Sequence, residues 1–252
     1  MKRVLSLFDL VVLAAASMGP AFSLATTMGP MVAAAGEFAP LALLLLTAVM
    51  GLVAVAFARM LRVMPNAGSS YSWVRSAFGE RAGTYGAWLL LLSNFFAVLA
   101  TALPAGTYTL DLLAPALAAS PVYVASVGCG WIVVSALILW AGLQPTSRVA
   151  ALLLGAEVLV LAVTAMLAFA HPAAAGEAAP AAAPSLRSSI AGIVLAMALG
   201  IWMTDGWEVT ASTSEESRGG RAVPGEGGII GLFATSALLL ACMIAYLRVG
   251  TP

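Results

Sequence analysis

Five stretches of this chain run without a charged residue for longer than a bilayer is thick: Leu10 to Gly36, Phe38 to Ala58, Ala82 to Leu110, Leu112 to Ser147 and Gly227 to Leu247. A helix rises about 1.5 Å per residue, so roughly 20 residues cross about 30 Å of hydrocarbon, and each run has that length. Val149 to Phe169 qualifies with only Glu157 inside it, and Ser188 to Thr210 with only Asp205 and Glu208. Seven spans are expected. In hydrocarbon every backbone N–H and C=O needs a partner inside the protein, which leaves helices or a closed barrel. Continuous apolar runs lack the alternation of barrel strands, so the expected fold is an all-α membrane protein. A chain that is 62% hydrophobic and 9% charged, with mean hydropathy +1.03, buries too little of that surface in any soluble fold.

Net charge is zero, and no basic cluster interleaved with aromatics points to nucleic acid. The placement of charge is more informative. With the N-terminus in the cytoplasm, Lys2, Arg3, Arg59, Arg62, Arg75, Arg81, Arg148, Arg218 and Arg221 all lie inside, and only Arg187 and Arg248 lie outside. That bias orients the spans in the cytoplasmic membrane, with Pro252 on the outer side. The start, Lys2-Arg3 before an apolar run containing Ala14-Ala15-Ala16, is similar to a secretory signal, but the run continues past Pro20 to Ala35, too long for one. Cys129 and Cys242 fall within spans and read as small hydrophobes.

Between spans two and three, Pro65, Asn66 and Gly68 mark a turn, and Tyr71, Trp73 and Arg75 suit a short interfacial helix. The segment from His171 to Pro184 is an alanine- and proline-rich outer loop to which no chemistry is assigned. His171, the only histidine, sits at its membrane edge without partners for a metal site. No cofactor is expected.

Two of the seven spans are interrupted in mid-membrane. Span one carries Ser17-Met18-Gly19-Pro20-Ala21-Phe22-Ser23, and span six carries Gly200-Ile201-Trp202-Met203-Thr204-Asp205-Gly206. At about 1.5 Å per residue, Met18 lies about 15 Å beyond Phe8, and Asp205 about 15 Å before Glu215. Both breaks are therefore expected at the same depth, facing each other. A proline kink in a packed helix is the plain reading of Gly19-Pro20 alone. The coincidence with a second break points instead to a midplane substrate site. Broken helices expose amides at the start of the second half and carbonyls at the end of the first, which suits a zwitterion. Gly19, Ala21 and Phe22 are expected to present donors to a carboxylate, and Ala16 or Ser17 with Leu199 to Ile201 to present acceptors to an amine. Phe22, Trp202 and Met203 would meet the substrate side chain. Trp202 and Met203 suit an apolar side chain and Asp205 a cationic one, and the residues do not choose between them. The expected substrate-binding set is Ser17, Met18, Gly19, Ala21, Phe22, Gly200, Ile201, Trp202, Thr204 and Asp205.

Ionisable groups within spans are costly and mark pathways or proton sites by default. Glu157 lies nine residues, about 13 Å, beyond Arg148 and is the proton-coupling candidate. Glu208 reads equally as a functional group or as a residue that contacts the inner headgroup region or caps a neighbouring helix. Enzyme activity is not expected, since one histidine and scattered acids assemble no nucleophile-base pair. A seven-helix receptor or retinal protein fits the span count but little else, since Lys2 is the only lysine and no span offers one for a Schiff base.

Three segments carry a family likeness. They are Ser17 to Ser23, Pro65-Asn66-Ala67-Gly68-Ser69-Ser70-Tyr71-Ser72-Trp73, and Asp205-Gly206-Trp207-Glu208 followed by Glu215-Glu216 and Pro224. The chain resembles amino acid permeases of the amino acid–polyamine–organocation superfamily. The resemblance implies a leucine-transporter-like fold of two inverted five-helix repeats. The first repeat would span residues 1–170, an outer loop 171–186, and the start of the second repeat 187–252. It also implies secondary transport of amino acids or related amines, driven by protons or a counter-substrate. Span one departs from the family pattern with Met18 and Pro20 in place of small residues and glycine. That fold has ten core helices, so seven spans imply either a fragment of a longer permease or a truncated, non-transporting scaffold or regulatory protein.

Overall fold

The computed structural model describes residues 3–171 and 186–249. The outer loop expected over 171–186 and the terminal Pro252 lie outside the described residues, apart from His171 and Leu186 at the edges of that loop. Span one is two helices, α1 (Leu7–Met18) and α2 (Pro20–Ala35), and span two is α3 (Ala39–Val63). Together they form an apolar segment of 57 residues, about 85 Å of helix, enough for two crossings of about 30 Å. The segment turns between them at Gly36, whose φ of 56° favours a residue without Cβ. The short α4 (Ser69–Phe78) follows, then α5 (Glu80–Leu113), α6 (Pro115–Ala118), α7 (Pro121–Trp140) and α8 (Leu143–Ala170). Span six is α9 (Leu186–Gly200), a tight turn over Ile201–Thr204 and α10 (Val209–Ser212), and span seven is α11 (Val223–Val249). Among the described residues six helical segments are long and apolar enough to cross a membrane, the first of them holding expected spans one and two, and α4 stands where the short helix after span two is expected.

The chain forms two compact units, residues 68–146 and the remainder. In the larger one, spans one, two, six and seven pack on each other: α11 against α1 and α3, and α9 against α2 and α3. Compactness therefore groups helices from both expected repeats, since internal symmetry and packing are separate properties of a chain. One buried cluster joins Leu24, Met31, Leu43, Leu161, Met203 and Leu239, and a second joins Ala14, Met18, Ala54, Trp207 and Leu232. Close packing in lipid depends on small residues because lipid tails are as apolar as leucine. The start of α11, Gly225-Glu226-Gly227-Gly228-Ile229-Ile230-Gly231, supplies them: a Cβ at Gly225 would lie 2.6 Å from Ala58 Cβ, and one at Gly227 2.6 Å from Leu10 Cβ. Overpacking of this kind costs about 1–3 kcal/mol. Gly227→Ala is expected to lower the thermal unfolding temperature of the purified protein, whereas Gly130→Ala, where an added Cβ meets nothing within 4 Å, is not.

Arg3, Arg62, Arg148, Arg218 and Arg221 gather at one end of this unit. Arg62 pairs with Glu226 at 3.6 Å, Arg218 Nε donates to the Arg3 carbonyl at 2.9 Å, and Ser147 beside Arg148 donates to Asp9 at 3.0 Å. Arg248 lies at the other end, over the Phe169 ring.

In the smaller unit α5 packs along α7. Gly128 faces the Ala102 carbonyl, where a Cβ would come within 2.7 Å, and Trp131 Nε1 donates to Thr109 at 2.9 Å. Their other faces expose Trp88, Phe95, Phe96, Val133 and Leu137, the surface a bilayer would solvate.

Candidate substrate site at two helix breaks

The first break follows from one residue pair. Pro20 has no N–H to continue α1, and Gly19 adopts the left-handed conformation (φ 53°, ψ 66°), its amide closing on the Ala16 carbonyl at 3.1 Å. Pro20 then opens α2 at its first position, where a missing donor costs nothing. In an unbroken helix the Ala21 amide would close on the Ser17 carbonyl. Here it donates instead to Glu157 Oε1 on α8, at 2.5 Å. The Phe22 amide interacts with the same carboxylate. A carboxylate thus sits on the positive end of α2, as helix N-termini favour. Ser23 Oγ donates to the Met18 carbonyl at 2.6 Å and bridges the break on its buried side.

The second break begins where α9 gives way to the turn over Ile201–Thr204. Asp205 is extended (φ −96°, ψ 155°), and Gly206 is left-handed at φ 104°. The Gly206 amide donates to Glu208 Oε2 at 2.9 Å, so Glu208 caps the break from within it. Trp207 is 4% exposed, stands edge-on to Phe57 with centroids 5.2 Å apart, and leaves its buried Nε1 without an acceptor among the described residues.

The two breaks meet. A Cβ on Gly206 would lie 2.7 Å from the Ser17 carbonyl oxygen and 3.2 Å from the Met18 nitrogen, so the backbones touch. Phe22 and Trp202 come together edge to face with centroids 6.3 Å apart. Ser17, Ile201 and Asp205 are exposed beside them, and Gly19, Ala21 and Phe22 are partly so.

Other expected site residues turn away. The Met18 side chain is buried in the second core cluster. Met203, expected against the substrate, is fully buried in the first. Thr204 is fully buried, with its hydroxyl on the Ile201 carbonyl at 3.2 Å. Gly200 is a packing residue, where a Cβ would lie 3.0 Å from Met31 Cε. Ser23 and Trp207 stand at the two breaks, both buried, and were absent from the expected set. A serine one turn beyond a Gly-Pro pair was the available signal for Ser23; Trp207 gave none beyond its neighbourhood to Gly206. Among the described residues no three His, Cys, Asp or Glu side chains are grouped to hold a metal ion.

A family model described as amino acid permease matches residues 5–251. One curated relative is the branched-chain amino acid permease BcaP of Lactococcus lactis subsp. cremoris, 51% identical over 55 residues. That stretch covers 22% of this chain and 12% of the relative.

Proposed function

This chain belongs to the amino acid permease family and is an integral membrane protein, and from that premise we propose that it holds the substrate in a proton-coupled secondary transporter for amino acids with apolar side chains. The observation that carries the reading is the meeting of the two breaks, with Gly206 against Ser17 and the Phe22 and Trp202 rings beside it. The α2 amides receive the substrate carboxylate. The Ser17 carbonyl, released from Ala21, and the exposed Asp205 carboxylate receive its amine. Phe22 and Trp202 receive an apolar side chain, which agrees with the substrate class in the name of the Lactococcus relative. The arginine-rich end faces the cytoplasm of the plasma membrane. Residues 1–170 form the first repeat and 187–252 open the second.

Glu157 is the proton carrier in this reading. It occupies the amides that the substrate carboxylate needs, so substrate entry requires that its charge be removed.

Uptake of a panel of labelled amino acids by cells expressing the protein tests the function. Leucine, isoleucine and valine are expected to accumulate, and the accumulation to collapse when a protonophore discharges the gradient. Accumulation of none of the amino acids would sink the reading, and accumulation untouched by the protonophore would remove its coupling ion.

A further inference from the structure

The arginine-rich end of the larger unit carries an open cavity of about 320 Å³ that the transport reading leaves unused. The chain ahead of α1, the turn after α3 and the loop between α10 and α11 build it. A strap fixes these parts together: the Val4 and Leu5 amides donate to the Glu216 carbonyl at 2.8 and 3.0 Å, and the Arg218 amide donates back to the Leu5 carbonyl at 2.7 Å. Arg3 and Arg221 line the cavity, and neither forms an ion pair among the described residues. Its one acidic wall residue, Glu215, has Oε1 turned to the Ala67 amide at 3.1 Å. Ser214 also lines the cavity, and its hydroxyl is buried without a hydrogen-bond partner among the described residues. Gly220, left-handed at φ 109°, brings bare backbone to the same wall.

We propose that this cavity binds a phosphate-bearing ligand, either the headgroup of an anionic phospholipid or a soluble phosphate compound, held by Arg3, Arg221 and the Ser214 hydroxyl. Two exposed guanidinium groups without a carboxylate partner stand beside a buried, unpaired hydroxyl, and an anion with several acceptor oxygens would relieve the repulsion between the first and the unmet donor of the second. Phosphate answers both needs, with several acceptor oxygens for the planar forks of arginine and one for a hydroxyl donor. The cavity lies beside the ends of α1, α3 and α11, and basic pockets at the ends of membrane-length helices suit anionic headgroups. Its volume lies at the lower end of small-ligand sites, which run from about 300 to about 1,000 Å³, and fits a headgroup better than a larger metabolite.

The test is thermal stabilisation of the purified full chain in detergent, titrated separately with phosphatidylglycerol, phosphatidylcholine and inorganic phosphate. Saturable stabilisation by phosphatidylglycerol but not phosphatidylcholine is expected. Loss of one charge-assisted contact in Arg221→Gln weakens it about tenfold. Arg148→Gln, at the same end but outside the cavity, changes it by less than about twofold. Ser214→Ala weakens it without altering charge. Saturation by inorganic phosphate with no response to phosphatidylglycerol identifies the soluble source. Equal losses in Arg221→Gln and Arg148→Gln would report diffuse surface charge and overturn the proposal. So would unchanged affinity in Ser214→Ala, or no saturable response to either phosphate probe.

Discussion

Gly206→Ala is expected to weaken substrate binding about 100-fold, close to 3 kcal/mol at the substrate site. Two costs combine there. Gly206 holds φ 104°, a conformation that a residue with a Cβ adopts only under strain. The added methyl would also lie 2.7 Å from the Ser17 oxygen and 2.9 Å from its carbon, atoms of backbone that cannot rotate aside. Relief requires the two breaks to separate, which moves the Ser17 carbonyl and the α2 amides away from Asp205. Gly19→Ala provides the comparison. Gly19 is also left-handed, but its Cβ would meet only Phe22 Cβ at 3.9 Å, so the cost is backbone strain of about 1–2 kcal/mol. Binding of labelled leucine to the purified protein, measured beside thermal unfolding to separate site damage from misfolding, reads both. Equal, small losses in the two variants would show that contact between the breaks does not shape the site.

That meeting of the breaks is legible in the sequence, and the reason is geometric. Helical rise is constant, so counting residues from the charged ends placed both breaks at one depth. Depth is readable from sequence, but direction is less so. Glu157 was assigned to the membrane interior from its distance to Arg148, yet nothing in span five indicated that it would face the Ala21 amide. The directions of the side chains after Gly200 were not readable for a different reason. An α-helix turns about 100° per residue, whereas the tighter turn over Ile201–Thr204 advances about 120°. Position in the break does not say which way a side chain points along that turn, and Met203 and Thr204 are buried in the core. Glu208, left open between cap and function, proves to cap its own break. The glycines of α11 look in sequence like a continuation of the preceding loop. Their role appears only with their partners, because a small residue shows that something approaches closely but not what.

Glu157→Gln is expected to uncouple substrate binding from pH. In the wild type the carboxylate accepts from Ala21 at the positive end of α2, and no cation is paired with it among the described residues. The amides that hold it are the ones a substrate carboxylate requires. Two carboxylates at one pair of amides repel, so the substrate displaces Glu157 most readily when a proton has neutralised it. Linkage fixes the sign: if protonation favours substrate binding, substrate binding raises proton affinity by the same factor. Wild-type affinity should therefore rise as pH falls. Glutamine has the same shape and can still accept from Ala21. A neutral acceptor holds that amide less strongly than a charged one, by about 1–1.5 kcal/mol. The variant should then bind labelled leucine about tenfold more tightly than the wild type at alkaline pH, with little change on acidification. Concentrative uptake should be lost while exchange of internal for external substrate persists, because exchange needs the site but not the proton. A variant that keeps both the wild-type pH profile and concentrative uptake would assign Glu157 the simpler role of capping α2 and send the search for the proton carrier to Asp205.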